Sequence, residues 1–181
     1  MMTNATLPAG AILRATTHQD LDQVLALYPQ TFPEEELRPV VTALMSGDDD
    51  ILSLAISFKD EVIAHVIFTL CSVQQSRPKD ALLGPLGVIP SYQGQGLGGM
   101  IVREGIERLA QAGLNQLFVL GDPGYYGRFG FDPERAVVPP YDLPEDWKDA
   151  WQSLLLTPAA KPGAGRLQVP DPWIHRDLWV E

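Results

Sequence analysis

The chain has one cysteine, Cys71, and the lack of a second thiol excludes an internal disulfide, a disulfide scaffold and a four-cysteine zinc site. A reducing, cytoplasmic setting is the expectation. Basic residues are also few: Lys plus Arg number 13 against 23 Asp plus Glu, a formal net charge of −10 over 181 residues. A surface of that sign repels nucleic-acid phosphates and anionic lipid, so neither is an expected partner. No apolar run reaches the roughly 18 residues of a membrane span. Residues 1–20 lack the roughly 7–15-residue apolar core of a secretion signal, so the acceptor-like triplet Asn4-Ala5-Thr6 carries no expected glycan. What is present is a chain 45% apolar and 20% charged, enough to build a core. One domain over residues 1–181 is expected.

Ala11 to Ala15 reads as a strand, and Leu21, Val24, Leu25 and Tyr28 fall at helical spacing behind a possible cap at Thr17. That helix should end near Pro29. Pro33 with Glu34, Glu35 and Glu36 looks like a second helix start, running to about Met45. Ile51–Phe58 and Val62–Leu70 form an antiparallel pair across a hairpin at Lys59, Asp60 and Glu61. A polar loop from Gln74 to Asp80 leads to the apolar run Ala81–Val88, whose Gly84, Pro85 and Gly87 argue for a bulged strand. A glycine-rich stretch, a helix ending near Gly113 and a short buried strand at Leu117–Leu120 follow. Beyond Pro133 the chain is rich in proline and holds Trp147, Trp151, Trp173 and Trp179, which reads as irregular segments and a few strands completing the sheet.

The most informative segment is Gln93-Gly94-Gln95-Gly96-Leu97-Gly98-Gly99, set between a strand and a helix. Glycines there let backbone amides approach phosphate oxygens, and a helix N-terminus favours negative charge. A bound pyrophosphate is the inference. Gly94, Gly96 and Gly99 also satisfy the dinucleotide pattern G-x-G-x-x-G, with Asp122 ending the next strand. Against that, Gly87 to Tyr92 separate the strand from the first glycine, and helices with a hairpin precede it instead of a doubly wound sheet.

Leu86-Gly87-Val88-Ile89-Pro90-Ser91-Tyr92-Gln93-Gly94-Gln95-Gly96-Leu97-Gly98 resembles the acetyl-coenzyme A motif Q/R-x-x-G-x-G/A of the GNAT superfamily of N-acetyltransferases. Gln93, Gly96 and Gly98 fill its fixed positions. Tyr126-Gly127-Arg128-Phe129-Gly130-Phe131 is similar to that superfamily's later Y-x-x-x-G-F element, and the whole stretch looks most like the YhbS-like subgroup. The resemblance implies an α/β (α+β) GNAT fold: a mixed, mostly antiparallel sheet splayed at a bulged strand and flanked by helices. Its core would cover about residues 11–135, with a Pro/Trp-rich extension behind.

It further implies acetyl-CoA as acyl donor, with no metal. Leu86, Gly87 and Val88 would bind the pantetheine arm, and Gln93, Gly94, Gln95, Gly96, Leu97, Gly98 and Gly99 the pyrophosphate. Tyr126 matches the tyrosine that protonates the departing thiolate in many relatives, a task suited to a phenol; Val119 stands where an Asn is common. Core packing is the other reading of Tyr125 and Tyr126. Many relatives carry a glutamate base on the bulged strand, but Ala81–Val88 has no carboxylate, so Glu34, Glu35, Glu36, His65 and Asp122 remain. His65 shares a strand face with Ile63 and Ile67 and reads either as a catalytic group or as a satisfied core histidine. His18 and His175 lie far from any motif, so no metal cluster is expected.

The expected activity is N-acetyl transfer from acetyl-CoA to a primary amine, of a small molecule or a peptide, by direct attack. The alternative is a non-catalytic acetyl-CoA sensing module. Dimerisation is common in the family, although the chain marks no interface.

Overall fold

A computed structural model describes residues 5–73 and 79–180. The expected polar loop lies outside the described residues over 74–78, as does Asn4. The chain divides into two compact units, residues 1–67 with 85–105, and residues 68–84 with 106–181.

In the first unit, β1 (Ile12–Ala15) pairs antiparallel with β2 (Ile51–Phe58), with Ile12 opposite Ser57 and Ala15 opposite Leu54. Between them run α1 (Leu21–Thr31) and α2 (Arg38–Ser46). A 3₁₀ turn leads into α1, and its Thr17 cap forms a reciprocal box with Asp20. Val24, Leu27 and Tyr28 are buried along one stripe of α1, which is why that segment packs as a helix. β2 turns into β3 (Glu61–Val73) through Lys59 and Asp60, at φ 50° and 62°. Two residues at positive φ suit the right-handed twist of a tight hairpin. The end of β4 (Asp80–Val88) lies beside β3, where Ile89 N–H donates to Ile63 C=O at 3.0 Å. The glycine loop and the first part of α3 (Leu97–Gln111) follow, with Leu97, Ile101 and Val102 buried.

In the second unit the start of β4 pairs parallel with β5 (Gln116–Leu120), from Asp80 opposite Gln116 to Leu83 opposite Val119. A one-turn helix α4 (Pro123–Tyr126) comes next, then β6 (Asp132–Pro133) and β7 (Val137–Val138). β8 (Trp151–Leu155) lies antiparallel on β5, with β6 on its other side. β9 (Gly165–Gln168) pairs with the end of β3 and with β7, and α5 (Asp177–Val180) closes the chain. The scattered tryptophans gather here: Trp151 stacks on Phe118 at 5.5 Å, and Trp179 meets both Trp151 and Trp173 at about 6 Å edge to face. Each buried indole N–H finds an acceptor, Val137 C=O, Thr69 Oγ1 and Trp173 C=O for Trp151, Trp173 and Trp179.

The strand order is β1-β2-β3-β4-β5-β8-β6, a nine-stranded mixed sheet with helices on it, as the fold class expected. Two helix boundaries differ. α1 continues through Pro29 to Thr31, because a proline in the last turn forfeits only its own N–H bond, while Gln30 and Thr31 side chains cap the Ala26 and Leu27 carbonyls. α2 starts at Arg38 instead of Pro33; a helix begun at Pro33 would carry Pro39 in its interior, whereas a start at Arg38 puts that ring in the first turn. Among the described residues no helix is long and apolar enough to cross a membrane.

Candidate active site

The loop between β4 and α3 is built by its own hydrogen bonds. Gln93 donates from Nε2 to Val88 C=O at 2.9 Å, tying the loop back to the strand it leaves. Tyr92 N–H bonds Ile89 C=O and Gln93 N–H bonds Pro90 C=O, which makes a 3₁₀ turn of Pro90–Tyr92. Gly94 and Gly96 sit at φ 75° and 80°, a conformation that costs other residues about 1–2 kcal/mol. A Cβ on Gly96 would also lie 2.4 Å from Ala5 Cβ, so this position excludes side chains for two reasons; at Gly94 nothing lies within 4 Å and backbone alone decides. Met100 is the first residue of α3 to bond back, to Gly96 C=O at 3.0 Å. The preceding amides of the helix are therefore outside its ladder, with the positive end of its dipole behind them. Gln93 to Gly96 are exposed.

The β4 segment ahead of the loop is pressed against α1. A Cβ on Gly87 would stand 2.6 Å from Leu27 Cδ2 and 3.3 Å from Tyr28 Cε1, so glycine here permits the close approach of helix and strand. The Thr31 hydroxyl donates to Val88 C=O at 3.3 Å, and the Tyr28 hydroxyl donates to Pro85 C=O at 3.2 Å.

His65 is fully buried on β3. Its Nδ1 lies 2.7 Å from the Tyr28 hydroxyl and its Nε2 2.8 Å from Ser53 Oγ, which in turn accepts from Thr16 Oγ1 at 2.7 Å. Burial holds its pKa down at about 3, against the weak pull of Asp20, so the ring is neutral at physiological pH. It reaches no solvent and bridges Tyr28 and Ser53. The sequence could not show the Tyr28 contact, which the packing of α1 makes across 37 residues, whereas Ser53 lies on the strand that the expected hairpin brings beside His65.

In the second unit, Tyr126 ends α4, whose N-terminus is capped by the Asp122 carboxylate accepting from Gly124 N–H at 2.8 Å. A Cβ on Gly121 would fall 2.4 Å from the Tyr126 ring, so that glycine makes room for it. Tyr125 and Phe131 pack on the ring edge to face at 4.9 and 5.7 Å. Burial among these rings pushes the Tyr126 phenol well above its usual pKa, and it stays protonated. Arg128 lies over Tyr125, 4.1 Å from the ring centre.

Of the remaining base candidates, Glu36 is ion-paired with Arg38, which lowers its pKa to about 2, and Asp122 is engaged as a helix cap. Among the described residues no three His, Cys, Asp or Glu side chains gather to hold a metal ion.

The Acetyltransferase (GNAT) family pattern matches residues 21–131. The chain belongs to this family. It is 31% identical over 164 residues to the uncharacterised N-acetyltransferase YjhQ of Escherichia coli K12, covering 87% of this chain and 91% of that one. YhbS of Escherichia coli, solved with CoA, superposes with a TM-score of 0.84 at 26% identity, over 94% of this chain and 96% of that one. A GNAT acetyltransferase from Brucella melitensis, solved with acetyl-CoA, gives 0.73 at 26% identity, over 90% and 97%. The GNAT chain is thus an enzyme of the acetyltransferase class, and the expected fold family is the observed one.

Proposed function

We propose that this GNAT enzyme transfers the acetyl group of acetyl-CoA to a primary amine by direct attack. The observation that carries the reading is the open N-terminus of α3, preceded by a loop whose Gly94 and Gly96 hold positive φ and whose residues Gln93 to Gly96 are exposed. Such an arrangement suits a pyrophosphate. The coenzyme in the YhbS and Brucella structures supports the same choice of ligand.

In this reading the amides from Gln93 to Gly99 hold the pyrophosphate, and Leu86, Gly87 and Val88 hold the pantetheine arm. The amine nitrogen bonds to the thioester carbon while the Val88 N–H stabilises the oxyanion. The C–S bond then breaks, the sulfur takes the Tyr126 phenolic proton, and the amine gives up a proton to water. Tyr126 carries its proton at neutral pH, as the acid must before the thiolate forms, while its burial makes it a weaker acid than a free phenol.

Isothermal titration with acetyl-CoA, with NADH and dephospho-CoA as controls, tests the ligand. Gly96→Glu, which puts a charged side chain at φ 80° against Ala5, should abolish binding in a folded protein. Tyr126→Phe should leave binding intact and lower thiol release about 100-fold, within the usual range for general acid catalysis. Binding of NADH without acetyl-CoA would overturn the reading. Thiol release unchanged in Tyr126→Phe would remove Tyr126 as the acid.

A further inference from the structure

The residues from Pro85 to Val88 have an unusual support. Carbonyls at both ends of this short stretch lie within reach of side-chain hydroxyls of one helix, Pro85 of Tyr28 and Val88 of Thr31, whose one proton is shared between Val88 C=O at 3.3 Å and Leu27 C=O at 3.2 Å; the two residues are one turn apart on α1. Gly87 between them packs directly on the same helix turn. The amides assigned above to the thioester thus sit on backbone whose place is set by α1.

Tyr28 heads a chain of four polar side chains, with His65, Ser53 and Thr16 behind it. Its direction is set by where the Tyr28 proton goes, and the Pro85 carbonyl within its reach gives one answer. Tyr28 has one hydroxyl proton, and it goes to Pro85 C=O at 3.2 Å; the phenolic oxygen must then accept from His65 Nδ1 at 2.7 Å. A neutral imidazole with its proton on Nδ1 accepts at Nε2, and Ser53 Oγ stands there at 2.8 Å. Ser53, having donated, accepts from Thr16 Oγ1 at 2.7 Å. Every bond then points toward the Pro85 carbonyl; in the reversed chain Tyr28 donates to Nδ1, Nε2–H to Ser53 and Ser53 to Thr16, so each hydroxyl stays paired and what is lost is the Tyr28 bond to Pro85 C=O. The Nδ1–H tautomer is the one that keeps the Tyr28 bond to Pro85 C=O, one net hydrogen bond's worth.

We propose that Tyr28 and Thr31 are positioning residues that fix the β4 backbone from Pro85 to Val88 for the acyl thioester, and that His65, as its Nδ1–H tautomer, aims the Tyr28 hydroxyl. The inference rests on the acetyl-transfer reading. The group that titrates nearest on the neighbouring elements is Asp20, which is neutralised by a bidentate pair with Arg14, both bonds 2.8 Å.

Two measurements on the full chain test it. Long-range proton–nitrogen NMR of histidine-labelled protein, with His65→Gln to assign the signal, should show His65 protonated on Nδ1 and bare on Nε2; the opposite tautomer overturns the relay. In steady-state acetyl transfer, Tyr28→Phe and Thr31→Val should each lower kcat about tenfold, one net hydrogen bond's worth, with KM for the amine unchanged. Thr31→Ser, which keeps the hydroxyl, should restore the rate. If the variants melt lower but turn over at the wild-type kcat, the positioning role falls while the acetyl-transfer reading stands. If wild-type protein binds no coenzyme A thioester, both fall, whichever tautomer is seen.

Discussion

Gly96 and His65 mark opposite ends of what a residue reveals by itself. The loop glycines were legible because everything they need is local: a turn, a strand before and a helix after, all within one stretch of sequence. His65 lies on an apolar face, as its alternation with Ile63 and Ile67 implies, but its partner Tyr28 is set by the packing of α1 on β3, which no spacing rule encodes. Its protonation has a measurable cost. The folded pKa is about 3 against about 6.5 unfolded, so below pH 6.5 the unfolded chain binds a proton that the folded one refuses. Stability should therefore fall as pH drops from 6.5 toward 3, by up to about 1.4 kcal/mol per unit for this one group. Asp20 acts in a different window: its hydrogen bond with Arg14 holds its pKa far below 3.8, so its contribution is full above about pH 4 and lost only below. Urea unfolding at pH 7, 6 and 5 should show the decline in wild-type protein and a flatter dependence in His65→Gln. An equal decline in both would assign the loss elsewhere.

The elements were easiest to read where periodicity is undiluted. β2 was expected at Ile51–Phe58 and is found there, since apolar residues fill both of its faces and turn residues bound it. β3 runs on to Val73, beyond its expected end at Leu70, because β9 pairs with Ser72 and Val73 and so extends the ladder from a distant segment. α2 begins at Arg38 and not at Pro33 because Pro39 is accommodated in a first turn, a signal the sequence does contain. The hairpin offers a direct test at this scale. Lys59 and Asp60 both occupy left-handed backbone that asparagine and glycine adopt with less strain. Replacing the pair by Lys59→Asn with Asp60→Gly should raise stability by about 1 kcal/mol, or Tm by about 2–4 °C in a chain of this size, read by thermal melting. The Gln23 side chain bonds the Asp60 backbone carbonyl, which the exchange preserves.

For the whole molecule, charge is the property with the longest reach. A net charge of −10 opposes the approach of a polyanion such as acetyl-CoA, and the glycine loop from Gln93 to Gly99 carries no basic side chain of its own. Raising ionic strength from about 0.01 M to 0.15 M shortens the screening length from about 30 Å to about 8 Å, so association with acetyl-CoA should quicken. Stopped-flow binding across that range checks it; slowing with salt would show that nearby arginines dominate the local field. The fold family was legible because two separated motifs specify it, whereas the tail strands β6 to β9 were not placed, their pairing being set by the indole cluster and not by alternation.

That cluster also determines what light can report. All four tryptophans, Trp147, Trp151, Trp173 and Trp179, belong to residues 106–181, and three of them form a touching array of rings. Ultraviolet emission excited at the indole band therefore originates in the second unit. The glycine loop and the His65 relay hold no indole, and a fluorophore introduced into the first unit, in place of exposed Ile12 for instance, would be the way to see coenzyme arrive.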